Sequence, residues 1–182
     1  GLIIVGSYVE LTTRQLNKVL EISLCKPIEI NVFKLYEFFK IGDNLNLNSL
    51  KKLIMNAIRQ NLIRESIPVL YTSRKTIFPT DKNDLIQFQL FLSAFIAEIV
   101  SAIKNEIGYL ISKGGITTNT IISEGLEADS VYLEGQILPG ISLVTFNLLK
   151  QKGKLPIVTF PGNIGNKMSL VKALEILENK NF

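Results

Sequence analysis

YLISKGGITTN, residues 109–119, passes from strand to glycine turn to helix within one short stretch. YLIS at 109–112 is apolar and reads as a buried strand. It leads straight into Lys113-Gly114-Gly115, and Thr117 or Thr118 can cap a short helix over 119–125. The same joint recurs on either side. LIIV at 2–5 closes on Gly6-Ser7, and LPIVTF at 155–160 closes on PGNIGNK at 161–167. Each glycine turn follows a strand-like run and precedes a helix-like one. A helix N-terminus leaves backbone N–H groups unpaired and carries partial positive charge. Glycine removes the Cβ that would hold an anion away. Three such turns converging in space would cradle one polyphosphate ligand.

The remaining segments alternate in the same way. Thr12 and Thr13 are expected to cap a first helix bearing Leu16, Val19 and Leu20, with Pro27 ending that region and IEINVF at 28–33 forming a second strand. Asn44 to Asn48 reads as polar loop. Ser49 then begins a helix striped by Leu50, Leu53, Ile54, Ala57 and Ile58. IPVLYTS at 67–73 is a third strand, 74–82 a loop, and 84–106 a long helix. VYLEGQIL at 131–138 and ISLVTF at 141–146 flank Pro139-Gly140, and the last helix spans 167–179 with Leu170, Ala173, Leu174 and Leu177 on one face. The expectation is an α/β sandwich with a mostly parallel sheet flanked by helices, and a short antiparallel excursion near 131–146. Ligands of such sheets sit beyond the carboxyl ends of the strands, where all three glycine turns fall.

Composition narrows the chemistry. The 182 residues, 47% hydrophobic and 20% charged, suit one domain with a sizeable core. A net charge of +4 without an arginine-rich, aromatic-interleaved run disfavours nucleic acid and favours small anions. One cysteine and no histidine fit a reducing, cytoplasmic compartment and exclude Ser-His-Asp and Cys-His catalysis within this chain. A structural zinc site is strongly disfavoured for the same reason, and no metal ligands are assigned; Asp129 and Glu134 are candidate magnesium partners whose spacing does not demand that role. Cys25 reads as a small buried residue rather than a nucleophile. The opening GLIIVGSYV lacks the features of a signal peptide. The apolar region 85–103 is broken by Gln87, Gln89, Ser93 and Glu98, so a buried helix is expected and no membrane partner. Without an initiator Met, and starting inside a strand, the chain is expected to follow an upstream domain.

Common nucleotide signatures do not account for these turns. GNIGNKMS at 162–169 has the wrong glycine–lysine spacing for a Walker A loop, and Gly-x-Gly-x-x-Gly does not occur. Each turn has a bland reading as well: an ordinary βα turn at Gly6-Ser7, a flexible capped loop at KGGITTN, a tight positive-φ turn at PGNIGNK. GQILPG at 135–140 reads as a strand end and turn.

The set in order is more specific than any member. GSYVELTTRQL, YTSR, ISKGGITTN, GQILPG and VTFPGNIG resemble the C-terminal nucleotide-binding domain of the four-carbon acid sugar kinases, the threonate, erythronate and 3-oxo-tetronate kinases. The resemblance runs from Gly1 to about Leu177. It implies a domain over 1–182 that binds ATP with Mg2+, while a preceding N-terminal domain, absent here, binds the sugar acid and carries an Asp-Asp-x-Thr-Gly-like motif. By resemblance, Ser7, then Lys113, Gly114, Gly115, Ile116 and Thr117, and then Gly162, Asn163 and Gly165 contact ATP. Tyr8 stands where the family often has histidine, and Ile116 where many relatives have glutamate. The implied reaction moves the γ-phosphate of ATP to a sugar-acid hydroxyl, with this domain alone inactive and a homodimer as a further expectation. A non-enzymatic nucleotide- or anion-sensing module of similar fold is the alternative. A third reading, a pure interaction domain, would leave the glycine turns without ligand.

Overall fold

In the computed structural model, residues 1–75, 81–148 and 153–179 are described. Seven strands, β1 (Leu2–Val5), β2 (Cys25–Ile30), β3 (Ile67–Thr72), β4 (Leu110–Lys113), β5 (Tyr132–Leu138), β6 (Ile141–Leu148) and β7 (Gly153–Phe160), form one sheet. Their order is β2-β3-β1-β4-β7-β6-β5. The first five in that order run parallel, and β6 pairs antiparallel with both β7 and β5. The expected α/β class and its antiparallel excursion are both present. β5 and β6 are joined at Pro139-Gly140, where Gly140 takes φ 74°, a left-handed conformation open to glycine at little cost.

Among the described residues six α-helices cover the two faces: α1 (Glu10–Leu20), α2 (Val32–Ile41), α3 (Asn44–Ile63), α4 (Lys82–Ile103), α5 (Gly115–Thr120) and α6 (Ser169–Glu178). Leu2 and Ile4 of β1 pack in the core shared with α2, α3 and α4, whereas Ile3 and Val5 pack in the core shared with α1 and α6. A strand covered on both faces needs apolar side chains at every position, which is why LIIV is continuous rather than alternating. By length and composition α4 could cross a membrane. In the fold its Phe88, Phe95, Ile96, Ile99, Val100 and Ile103 are buried against other elements.

Several boundaries differ from the sequence-based expectation, each for a local reason. α1 begins at Glu10, and its N-cap Val9 supplies no side-chain bond. Thr12 and Thr13 therefore lie inside the helix. β2 begins at Cys25 and contains Pro27; as the edge strand it tolerates a residue without an N–H. The alternation of IEINVF runs past a cap. The Asn31 side chain accepts from Lys34 N at 3.1 Å and opens α2, so Val32 and Phe33 are helical. Gly42, at φ 67°, closes α2. The Asp43 carboxylate accepts from Asn46 N at 3.0 Å, so Asn44 to Asn48 are the first turns of α3, not a loop. In α3 Ile54 and Ile58 are buried, while Leu53 faces solvent. α5 starts at Gly115, and Gly114 occupies its N-cap at φ 133°; Thr117 and Thr118 are inside the helix rather than capping it. A π-helical turn, Ile121–Gly125, continues α5. Within the expected 74–82 loop, residues 76–80 lie outside the described residues.

Candidate functional site

The strands preceding the three glycine turns are neighbours. β1 pairs with β4 (Ile3 opposite Ile111) and β4 with β7 (Ile111 opposite Val158), all parallel, so their carboxyl ends and turns lie side by side. β3 and β4 flank β1 on opposite sides, and the crevice that ligands favour in open α/β sheets opens at such a reversal. Backbone bonds stitch the turns together. The N–H groups of Gly6 and Ser7 both donate to the Lys113 carbonyl, at 3.0 and 3.2 Å, and Gly114 N donates to the Phe160 carbonyl at 3.0 Å. Close approach explains two of the glycines. A Cβ on Gly6 would lie 2.2 Å from Thr117 Oγ1, and one on Gly162 would lie 2.6 Å from Ser7 Oγ. Gly115 is different: a Cβ there would meet nothing within 4 Å.

A cleft of about 470 Å³ opens over these turns. Ser7, Gly114, Gly115, Ile116, Thr117, Gly162 and Asn163 line it together with Gly6. Helix geometry leaves the N–H groups of Gly115, Ile116 and Thr117, the first turn of α5, without intrahelical acceptors. Tyr8, Val9, Val32, Thr72, Ser73, Lys75 and one face of α4 complete the lining. That face is Leu85, Phe88, Gln89, Leu92 and Ser93, whose spacing is one helical stripe.

Two of the residues expected at the site, Lys113 and Gly165, do not line the cleft. The Lys113 side chain is fully buried. Its Nζ donates to the Pro161 carbonyl at 2.9 Å and sits 3.7 Å from the centre of the Phe160 ring. Burial pushes the ammonium down to about 8. Gly165, at φ 86°, shapes the loop beneath; a Cβ there would lie 2.5 Å from Ser169 Oγ. The buried amide of Gln15 holds this loop from α1, donating to the carbonyls of Ile164 and Asn166 at 3.1 and 2.8 Å.

Sequence reasoning passed over three parts of the site. Thr12 Oγ1 donates to the Gly162 carbonyl at 2.9 Å, tying α1 to the turn after β7. Arg74 donates to the Ser7 carbonyl at 2.7 Å and to Thr72 O, tying the ends of β3 and β1. Burial lowers the Arg74 pKa from its ordinary value. Arg74 and Lys113 thus pin two of the turns as cations with no carboxylate in salt-bridge contact among the described residues. The third part is the α4 wall, whose helical spacing was visible but reads equally as core. Phe88 is set by an edge-on contact with Tyr36, ring centres 5.0 Å apart. The Tyr36 hydroxyl bonds Asp84 at the start of α4, and Lys40 Nζ approaches the same carboxylate at 3.0 Å. These partners, Tyr36 foremost, hold the Asp84 carboxyl below the usual range.

Among the described residues no group of three or more acidic, histidine or cysteine side chains is placed to hold a metal. Glu134 accepts from Thr145 Oγ1 at 2.7 Å and pairs with Lys154, and neither it nor Asp129 lines the cleft.

Comparison with known proteins agrees with this geometry. No curated protein matches the chain. Among solved structures, a domain of unknown function (DUF1537) from Bordetella bronchiseptica, described with bound citrate as a domain-swapped dimer, aligns with a TM-score of 0.73 at 18% identity. It covers 100% of this chain and 41% of that one. Haemophilus influenzae protein HI1011, also of DUF1537, aligns with a TM-score of 0.65 at 18% identity, over 96% of this chain and 40% of that one. The chain therefore spans about two fifths of the length of the structures it resembles. At such identities the likeness establishes the fold alone. The family model described as "Nucleotide-binding C-terminal domain" matches residues 2–170, nearly the whole chain, and the chain belongs to that family.

Proposed function

We propose that this domain binds ATP and is the nucleotide half of a kinase that phosphorylates a hydroxyl of a four-carbon sugar acid. The observation that carries the reading is the meeting of three glycine turns, after neighbouring strands β1, β4 and β7, in one cleft. Phosphoryl transfer asks a protein chiefly to position phosphates and neutralise developing charge. The amides of Gly115, Ile116 and Thr117, the Ser7 and Thr117 hydroxyls and the Gly162-Asn163 turn are suited to hold the triphosphate, while Lys113, Gly165 and Arg74 support those turns from behind. Space around Gly115, where a Cβ would meet nothing, leaves room for a phosphate beside backbone. The described cleft lining includes hydroxyls but no carboxylate. Mg2+ would then arrive with the phosphates, held largely by their oxygens with help from hydroxyls such as Ser7 and Thr117, and would share their charge.

In the proposed reaction the sugar-acid oxygen bonds to the γ-phosphorus, the bond from that phosphorus to the β–γ bridging oxygen breaks, and ADP leaves. The hydroxyl proton passes to a base outside this chain. The sugar acid and its contacts likewise belong to the part of the protein beyond this domain.

Isothermal titration of the folded domain with an ATP analogue and Mg2+ tests the reading. Binding in the millimolar range or tighter is expected, and it should be lost in Gly115→Val. A folded sample that takes up no adenine nucleotide would overturn it.

A further inference from the structure

The two sides of the cleft differ in character. The glycine turns offer amides and hydroxyls; the α4 wall is apolar except for Gln89 and Ser93. These two stand one turn apart on a face otherwise made of Leu85, Phe88 and Leu92. Ser93 is only 4% exposed and borders the cleft, yet its hydroxyl bonds no described residue. A helical serine or threonine with no other partner ordinarily turns back to the carbonyl four residues earlier. Ser49, Thr120 and Ser123 do so here, at 2.9, 3.0 and 2.9 Å. Ser93 does not, and its hydroxyl is left open to the cleft.

We propose that Gln89 and Ser93 are the base-reading residues of this cleft, selecting adenine by the 6-amino edge of the ring. The inference rests on the nucleotide reading above and adds a specificity to it. Leu85 and Leu92 offer a flat base an apolar surface, and Phe88, almost wholly buried, backs that wall, held by Tyr36, Phe39 and Phe91. A glutamine carboxamide can accept from the amino group of adenine while donating to an adjacent ring nitrogen, a bidentate match. The serine hydroxyl, donor and acceptor at once, completes the edge. Polar groups that are half or fully buried reject an analogue lacking their partner more strongly than an apolar wall rejects a change of size.

The test compares ATP with purine riboside triphosphate, which lacks only the 6-amino group, and with inorganic tripolyphosphate, on the wild-type chain, Gln89→Leu and Ser93→Ala. Wild type should bind ATP about tenfold tighter than the amino-less analogue, a difference of about 1.4 kcal/mol. Gln89→Leu should bind both alike, at the weaker level. Ser93→Ala should melt no lower than wild type, having lost only an unpaired hydroxyl, and should bind ATP at least threefold more weakly. Tripolyphosphate affinity should be the same in all three. If ATP binds and both variants keep the wild-type ratio of the two nucleotides, the assignment is overturned while the nucleotide reading stands. If folded wild type binds neither ATP nor tripolyphosphate, the nucleotide reading itself fails and takes this inference with it.

Discussion

Gly115 and Gly162 border the same cleft under different constraints. A side chain at Gly115 would project into open space, and valine in place of glycine changes helix propensity by only a few tenths of a kcal/mol. Gly115→Val should therefore melt within about 2 °C of wild type, while its ATP affinity, read by titration calorimetry, drops tenfold or more. Gly162→Val forces a Cβ to within 2.6 Å of Ser7 Oγ, and overpacking of that kind costs about 1–3 kcal/mol, visible as a lower urea midpoint. Lys113 supplies a pH signature. Its folded pKa is lowered to about 8 by burial, so between there and the ordinary lysine value the unfolded chain binds more protons than the folded one. Stability contributed by this group consequently rises with pH through that window. The Cys25 thiol, pushed up to about 12 by burial, and the Tyr109 phenol, raised chiefly by burial, act in the opposite direction once the unfolded chain ionises them. Lys113→Met isolates the lysine. The wild-type-minus-variant stability from urea melts should climb between pH 8 and pH 10, and a flat difference would remove Lys113 as its source.

At the level of elements, α1 is a brace for the turn after β7. Thr12→Val keeps the side-chain shape but leaves the Gly162 carbonyl without its 2.9 Å donor. A loss of about 1–3 kcal/mol in urea unfolding is expected. Lys18→Ala, which breaks an exposed i,i+3 pair on the outer face of the same helix, should cost less than about 0.5 kcal/mol. That brace also shows where sequence reading stops. The strands were legible because β1, β3, β4 and β7 are short apolar runs closed by glycine, proline or polar residues. The three glycine turns were legible for the same reason. Thr12 was visible too, but a threonine near a helix start looks like a cap, and its bond to a residue 150 positions away is a fact of tertiary packing. α2 was hidden because the stretch 28–32 alternates like a strand past the point where Asn31 caps a helix. The α4 wall was read as core because Leu85, Phe88 and Leu92 satisfy a buried face and a cleft face equally well.

For the molecule as a whole, a ligand held by turns from three strands should act as a cross-brace. ATP at a hundred times its dissociation constant should add about 2.7 kcal/mol of stability, or roughly 5–10 °C in melting temperature for a domain of this size. Differential scanning fluorimetry against nucleotide concentration measures it, and a melting point indifferent to ATP would contradict the cleft assignment. The strands that meet there lie far apart in sequence: β1 ends at Val5, and β7 ends at Phe160. During translation the cleft thus stays a half-built vessel until β7 and the turn after it have emerged. A chain stalled on the ribosome before Pro161 has left the exit tunnel should not be captured by immobilised ATP, whereas one in which α6 has emerged should be, making nucleotide capture a report on whether the turn after β7 has joined the other two.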